Sequence, residues 1–207
     1  MTVTDIVALD NKRSKVFIDG EFAFILYRGE IRGYGLHTGE EISSPVFNEI
    51  TQTVIPKRAK LRAMNLLQKR DYTERKLRDK LREGMYTEEV IDDAISYLKS
   101  YKYIDDERFA RDYIAYQMNL RSRNRIKHDL IQKGVSSDII ERLLSEAYTE
   151  EDNDPELALC VSLLKKKHYD PDSITFEEKQ KLMAFLYRKG FSNDVIGKAL
   201  SLDTSTI

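Results

Sequence analysis

A chain of 207 residues that is 33% charged and 41% hydrophobic, with 9 glycines and 4 prolines, has the composition of an ordered, helix-rich protein and argues against disorder. Its 34 Lys plus Arg against 35 Asp plus Glu leave a net charge of −1, so no global positive field draws it onto DNA or an anionic membrane, and any polyanion contact must be local. A lone cysteine, Cys160, excludes an intramolecular disulfide. Met1 to Asp5 lack the basic-then-apolar run of a secretory signal, and no apolar run approaches the roughly 18 residues of a spanning helix, so a cytoplasmic chain with no membrane partner is expected.

Five of the nine glycines (Gly20, Gly29, Gly33, Gly35, Gly39) lie in the first 39 residues, which sets residues 1–45 apart from the rest. Val16-Phe17-Ile18 and Phe22-Ala23-Phe24 flank Asp19-Gly20, a pair that tolerates the positive φ angles of a type I′ turn. The expectation is a β-hairpin with Phe17 opposite Phe22. Two strands alone are marginal in water, so residues 3 to 9 are candidates for a third, and the aromatic face is expected to dock on the helical part.

From residue 57 to 154 there is no proline, only two glycines, Gly84 and Gly134, and apolar residues recur at helical spacing. Self-comparison finds one pattern three times: Leu77, Leu81, Thr87, Val90, Ile91; then Ile126, Leu130, Ser136, Ile139, Ile140; then Leu182, Leu186, Ser192, Val195, Ile196. The i, i+4 apolar pair makes a helical stripe, the hydroxyl is expected to cap the next helix by accepting an orphan N–H, and the β-branched pair opens that helix's buried face. Gly134 and Gly190 lie four residues past their leucines, as a left-handed C-terminal cap requires, whereas Gly84 lies three past Leu81. Upstream of each step sits a further apolar helix, around Ala63, Ala110 and Ala158. Thr175-x-x-Glu178 reads as a capping box that restarts the third unit after Asp170-Pro171. The expected fold is mainly α: a tandem array of three three-helix modules over 46–104, 105–150 and 151–207, behind the β-hairpin segment 1–45.

Chemistry is hard to place on this chain. Gly33-x-Gly35-x-x-x-Gly39 has the wrong spacing and context for a dinucleotide fingerprint and reads as turn glycines. His37, His128 and His168 are far apart in sequence, and Cys160 sits on an apolar stripe between Leu159 and Val161, so no metal, no cofactor and no enzymatic activity are expected. Charge is segregated instead. Lys57 to Glu83 holds 11 basic and 4 acidic residues, and Arg121 to Lys133 holds 5 and 1. Asp138 to Glu156 holds 8 acidic residues against Arg142 alone. Such runs are either solvated faces closing salt bridges between helices or a bipolar interaction surface.

Tyr103-Ile104-Asp105-Asp106-x-x-Phe109-Ala110-x-x-Tyr113, preceded by Leu77-x-x-x-Leu81 and followed by Arg125-Ile126-x-x-x-Leu130-x-x-x-Gly134-Val135, resembles the RecX family of recombination regulators. Asp105 or Asp106 is expected to cap the helix that carries Phe109 and Tyr113, a structural role for the motif. The resemblance implies a modulator of the RecA recombinase, acting in homologous recombination, DNA repair and the SOS response, that lies on the filament on single-stranded DNA and inhibits its ATPase. Filament or DNA contacts are expected at Arg121, Arg123, Arg125 and Lys127, then at Lys76, Lys80 and Arg82, then at Lys165, Lys166 and Lys167. Two alternatives stay open: a helical array that binds DNA directly, single- or double-stranded, and a scaffold for another protein. Helices that read a DNA groove should begin basic, and those after Thr87, Ser136 and Ser192 begin acidic.

Overall fold

Strand β1 (Val3–Ala8), β2 (Arg13–Ile18) and β3 (Glu21–Tyr27) form an antiparallel sheet in the order β1-β2-β3, so the third strand expected over residues 3 to 9 is present. Asp19 and Gly20 turn with φ of 50° and 90°, the two positive angles of the expected hairpin, and Phe17 pairs with Phe22, ring centroids 6.0 Å apart. That aromatic pair is not the docking face. Val16 pairs with Phe24 and Phe17 with Phe22, which leaves Ala23 as an extra residue in β3. The bulge breaks the strand's period of two, so Phe22 and Phe24 lie on opposite faces despite their spacing. Val16, Ile18, Phe24 and Leu26 face inward onto Ile50 and Ile55, and Phe24 meets Phe47 at 6.1 Å.

The computed structural model describes residues 1–148, 154–171 and 173–202. Glu150, Glu151 and Asp152 of the acidic run, and the module boundary expected at 150 and 151, lie outside these. The chain divides into two compact units, Met1–Ile104 and Asp105–Ile207.

In the first unit a short helix not anticipated from sequence, α1 (Arg28–Gly33), follows β3; Glu30 accepts the Tyr27 N–H at 2.7 Å. Helix α2 (Ser44–Glu49) starts with Pro45 in its first turn and runs through a π turn, Ile50–Val54, into α3 (Ile55–Leu67). Pro56 cannot donate a backbone hydrogen bond, which accounts for the widened turn just before it. Helices α4 (Glu74–Arg82) and α5 (Glu88–Ser100) complete the first three-helix module around Ala59, Ala63, Leu77, Leu81, Ile91 and Leu98.

The second unit holds α6 (Asp106–Gln117), α7 (Arg123–Lys133) and α8 (Ser137–Ala147), packed on Ala110, Ile114, Ile126, Leu130, Ile140 and Leu144. It continues with α9 (Pro155–Lys166), α10 (Phe176–Arg188) and α11 (Asn193–Ser201), packed on Cys160, Leu164, Leu186, Phe191 and Ile196. Each repeat thus buries its own apolar cluster, as the three-fold pattern requires. Cys160 is core, and burial pushes its thiol up to about 11. The Thr175–Glu178 capping box is present in full.

The expected caps divide. Thr87, Ser136 and Ser192 are all N-cap residues, but only the Ser192 hydroxyl accepts a bond, from Val195 N at 3.2 Å. At Thr87 and Ser136 it is the backbone carbonyl that opens the helix, accepting from Ile91 and Ile140. The left-handed residue falls four positions past the leucine in every repeat: Gly134 at φ 90°, Gly190 at φ 95° and, in the first, Met85 at φ 59°. Gly84 serves a different need, since a Cβ there would sit 2.8 Å from the Tyr86 ring.

Candidate functional site

Asp129 is the only carboxylate among Arg121 to Lys133, and it is buried. It sits one helical turn past Arg125 and receives three partners: Arg121 Nη1, Arg125 Nε at 3.3 Å and the Tyr113 hydroxyl, which donates at 3.1 Å. Burial, then the Asp129 charge, holds the Tyr113 phenol above its ordinary value. The other two cations of the cluster point elsewhere. Lys127 pairs with Glu141 on α8, and the Arg123 guanidinium lies 5.7 Å over the Tyr148 ring. The four residues Arg121, Arg123, Arg125 and Lys127 therefore spread over three internal partnerships while staying partly exposed.

The N-terminus of α7 is also a joint between the second and third modules. Ser122 Oγ donates to the Lys189 carbonyl at 2.8 Å and accepts from Arg125 N at 3.4 Å; Asn124 Nδ2 donates to the Gly190 carbonyl at 3.1 Å. Arg123 N donates to Glu156 Oε1 at 2.9 Å, a carboxylate buried at 6% exposure and raised in pKa by that burial. Gly190 is required here twice over, by its φ and because a Cβ would lie 2.5 Å from Ser122 Oγ.

The motif from Tyr103 to Tyr113 acts structurally. Asp105, not Asp106, is the N-cap of α6 and accepts from Arg108 N at 3.0 Å. Phe109 and Tyr113 stack at 6.3 Å with Lys133 Nζ over both rings, and Ala110 is fully buried against the core. Tyr103 ends a ladder of half-exposed rings in the first unit, 5.9 Å from Tyr101, which lies 4.9 Å from Tyr97.

Elsewhere the predicted cations differ in availability. Lys80 pairs with Glu83 at 2.8 Å, and Arg82 with Asp79 and Glu88 at 3.1 and 2.7 Å. Lys76 and, beside it, Arg75 are exposed with no ion pair among the described residues. Lys165, Lys166 and Lys167 are exposed at the end of α9, with Lys167 Nζ 5.2 Å over the Phe185 ring. Sequence reading missed Asp129, Glu156, Arg75 and Lys69. Asp129 carried a signal, as the single carboxylate inside a basic run at helical spacing from two arginines; Glu156 carried none, because its partner lies 33 residues away. Among the described residues no group of three or more His, Cys, Asp or Glu side chains can hold a metal, and no helix is long and apolar enough to cross a membrane.

Three family models match in order: the first three-helix domain of RecX over residues 59–98, the second over 105–144 and the third over 154–200. A regulatory protein RecX from Caldanaerobacter subterraneus subsp. tengcongensis is 36% identical over 205 residues, 98% of this chain and 100% of the relative. The chain belongs to the RecX family. A second relative of the same name, from Clostridium perfringens strain 13, is 35% identical over 88% of this chain and 85% of its own. Two solved RecX structures share the fold. One, a crystal structure of regulatory protein RecX, has a TM-score of 0.64 at 23% identity and covers 95% of this chain and 98% of its own. The other, RecX from Lactobacillus salivarius, has a TM-score of 0.63 at 25% identity and covers 71% and 95%. The family residues thus sit where the fold needs them, and the charged residues around them are what varies in availability.

Proposed function

We propose that this chain is a cytoplasmic, non-enzymatic regulator that binds the RecA recombinase filament on single-stranded DNA and lowers its ATPase and strand-exchange activity. The observation that carries this reading is membership of a family whose relatives are named regulatory proteins, along nearly the whole chain. The available cations, Arg75, Lys76 and Lys166, are the first contacts to test, because they can meet phosphates or carboxylates without giving up an internal partner. Arg121, Arg123, Arg125 and Lys127 are the second, since their exposed edges remain accessible while their other atoms hold the fold.

The test is the single-stranded-DNA-dependent ATPase of the cognate RecA against increasing amounts of this protein, beside a titration onto bare DNA. Loss of ATPase at amounts that barely occupy bare DNA supports a filament regulator. Charge reversal at Lys76 and Lys166 should then weaken inhibition and flatten its salt dependence. Tight binding to bare DNA with no effect on RecA would replace this reading with a DNA-binding array.

A further inference from the structure

The first unit carries a groove of about 500 Å³ between β3, α3 and the turn joining α4 to α5. Its floor is apolar. Phe24, Ile25 and Ile55 are buried below it, while Leu61 stands 51% exposed and Met85 36% exposed along it. Its charged rim has one sign, with Arg13, Arg58, Arg62 and Lys69 lining it and no Asp or Glu among the lining residues.

Two of those cations are already engaged. Arg13 pairs with Asp10 at 2.7 Å, and Arg58 pairs with Glu30, donates to the Ile25 carbonyl at 2.8 Å and lies 4.8 Å over the Tyr27 ring. The other two have no carboxylate partner among the described residues. Arg62 Nη2 reaches the Lys80 carbonyl at only 3.4 Å, and its Nε is buried with no acceptor among the described residues. Lys69 is exposed with no ion pair among the described residues.

Met85 supplies an independent observation. It occupies the left-handed position that is glycine in the other two repeats, so the backbone is strained there by a side chain, and that side chain lines the groove. A flexible thioether on an exposed apolar floor is suited to packing against a variable partner.

We propose that this groove binds an acidic peptide segment of a protein partner, with a bulky apolar side chain on the Leu61–Met85 floor and carboxylates at Arg62 and Lys69. The proposal goes beyond the filament reading and does not depend on it. Of the rings at the groove, Phe24 is buried, Tyr86 is half-buried and the exposed Tyr27 is already covered by Arg58. The open part of the floor is therefore Leu61 and Met85, which favours a peptide over a nucleic acid strand that would need open aromatic faces for its bases. Because Arg58 already takes the Ile25 carbonyl, the peptide is held by side chains and not as an added strand on β3.

The full chain, labelled with nitrogen-15, is titrated with the capped peptide Glu-Asp-Leu-Phe-Asp-Glu to about 1 mM, the range of a weak single-site contact. Amide shifts should concentrate at residues 61–69 and 84–87. Arg62→Ala should weaken the affinity about tenfold, the worth of one charge-assisted hydrogen bond. Met85→Gly should weaken it severalfold while raising thermal stability, a combination that damage to the fold cannot produce. No shifts at the groove, unchanged affinity in both variants, equal binding of the amide peptide Gln-Asn-Leu-Phe-Asn-Gln, or tighter binding of oligo-dT to the same residues would each overturn the proposal. The RecA ATPase assay is read separately, so failure here leaves the filament reading standing.

Discussion

The basic stretch of the first unit, Lys57 to Glu83, ends with cations to spare, whereas that of the second, Arg121 to Lys133, is drawn inward. In the first, Lys69, Arg75 and Lys76 keep exposed charges with no ion pair among the described residues, although Arg78 and Arg82 are tied to Asp92 and Glu88. In the second, a single buried Asp129 gathers Arg121, Arg125 and Tyr113, and the acidic α8 takes Lys127. Net charge along a run therefore says how many cations exist and nothing of how many are available. One buried carboxylate at helical spacing, or one acidic helix packed alongside, decides that.

The sharpest way to break this contrast is Asp129→Ala. It leaves the Tyr113 hydroxyl and two guanidinium groups without their acceptor and should cost about 3 kcal/mol of second-unit stability, as loss of a buried, charge-assisted acceptor does. Faster hydrogen exchange at Ile126 and Leu130, with Leu77 and Leu81 unchanged, would show it. Equal protection in both units would mean that the arginines are held by something other than Asp129.

The turns sharpen the comparison next. Gly190→Ala combines a left-handed alanine with a Cβ 2.5 Å from Ser122 Oγ, and should cost about 2 kcal/mol by thermal unfolding. Met85→Gly at the matching position of the first repeat should do the opposite and stabilise by about 1 kcal/mol, because it removes left-handed strain without opening a buried cavity. A loss of stability in the second variant would mean that the Met85 side chain contributes more through packing than its backbone costs.

The smallest effect is in the pH dependence. Glu156 has its folded pKa raised above 4.5 by burial, so its stabilising contribution is full below pH 4.5 and declines as pH rises through the folded value. Glu74 in the first unit is the reverse: burial opposes ionisation, but hydrogen bonds from Lys99 and Arg78 outweigh it and hold the pKa below 4.5. Its contribution is present above pH 4.5 and is lost as pH falls through the lower value. Exchange-derived opening energies at Leu157 and Leu77 should therefore run with opposite slopes on acidification, by less than about 1 kcal/mol. Glu156→Gln keeps an acceptor for Arg123 N and should flatten the slope at Leu157 alone; an unchanged slope would assign it to another group.

The helical repeats, the hairpin turn and the Thr175 capping box were legible because each rests on neighbours in sequence: apolar spacing of three and four, Asp19-Gly20, and a hydroxyl three residues before a carboxylate. The outward turn of Phe17 and Phe22 was not, because one extra residue in β3 reverses the alternation without altering the pattern of residue types. The basic clusters were legible as clusters, yet the division of their members among Asp129, Glu141, Tyr148 and open solvent depends on which helix packs beside them. Nor does any local signal join Arg62, Lys69 and Met85, which meet only where α3 passes the turn between α4 and α5.

What the sequence by itself determined is the three-fold helical plan and the family, since periodicity and caps are local properties that survive without knowledge of packing. Only the tertiary structure decided which charges stay free, that Met85 takes the left-handed position held by glycine in the other two repeats, and that Glu156 closes α7 from the next module. Those outcomes turn on contacts between residues distant in the chain, where burial, charge pairing and steric fit act on atoms that sequence spacing does not bring together.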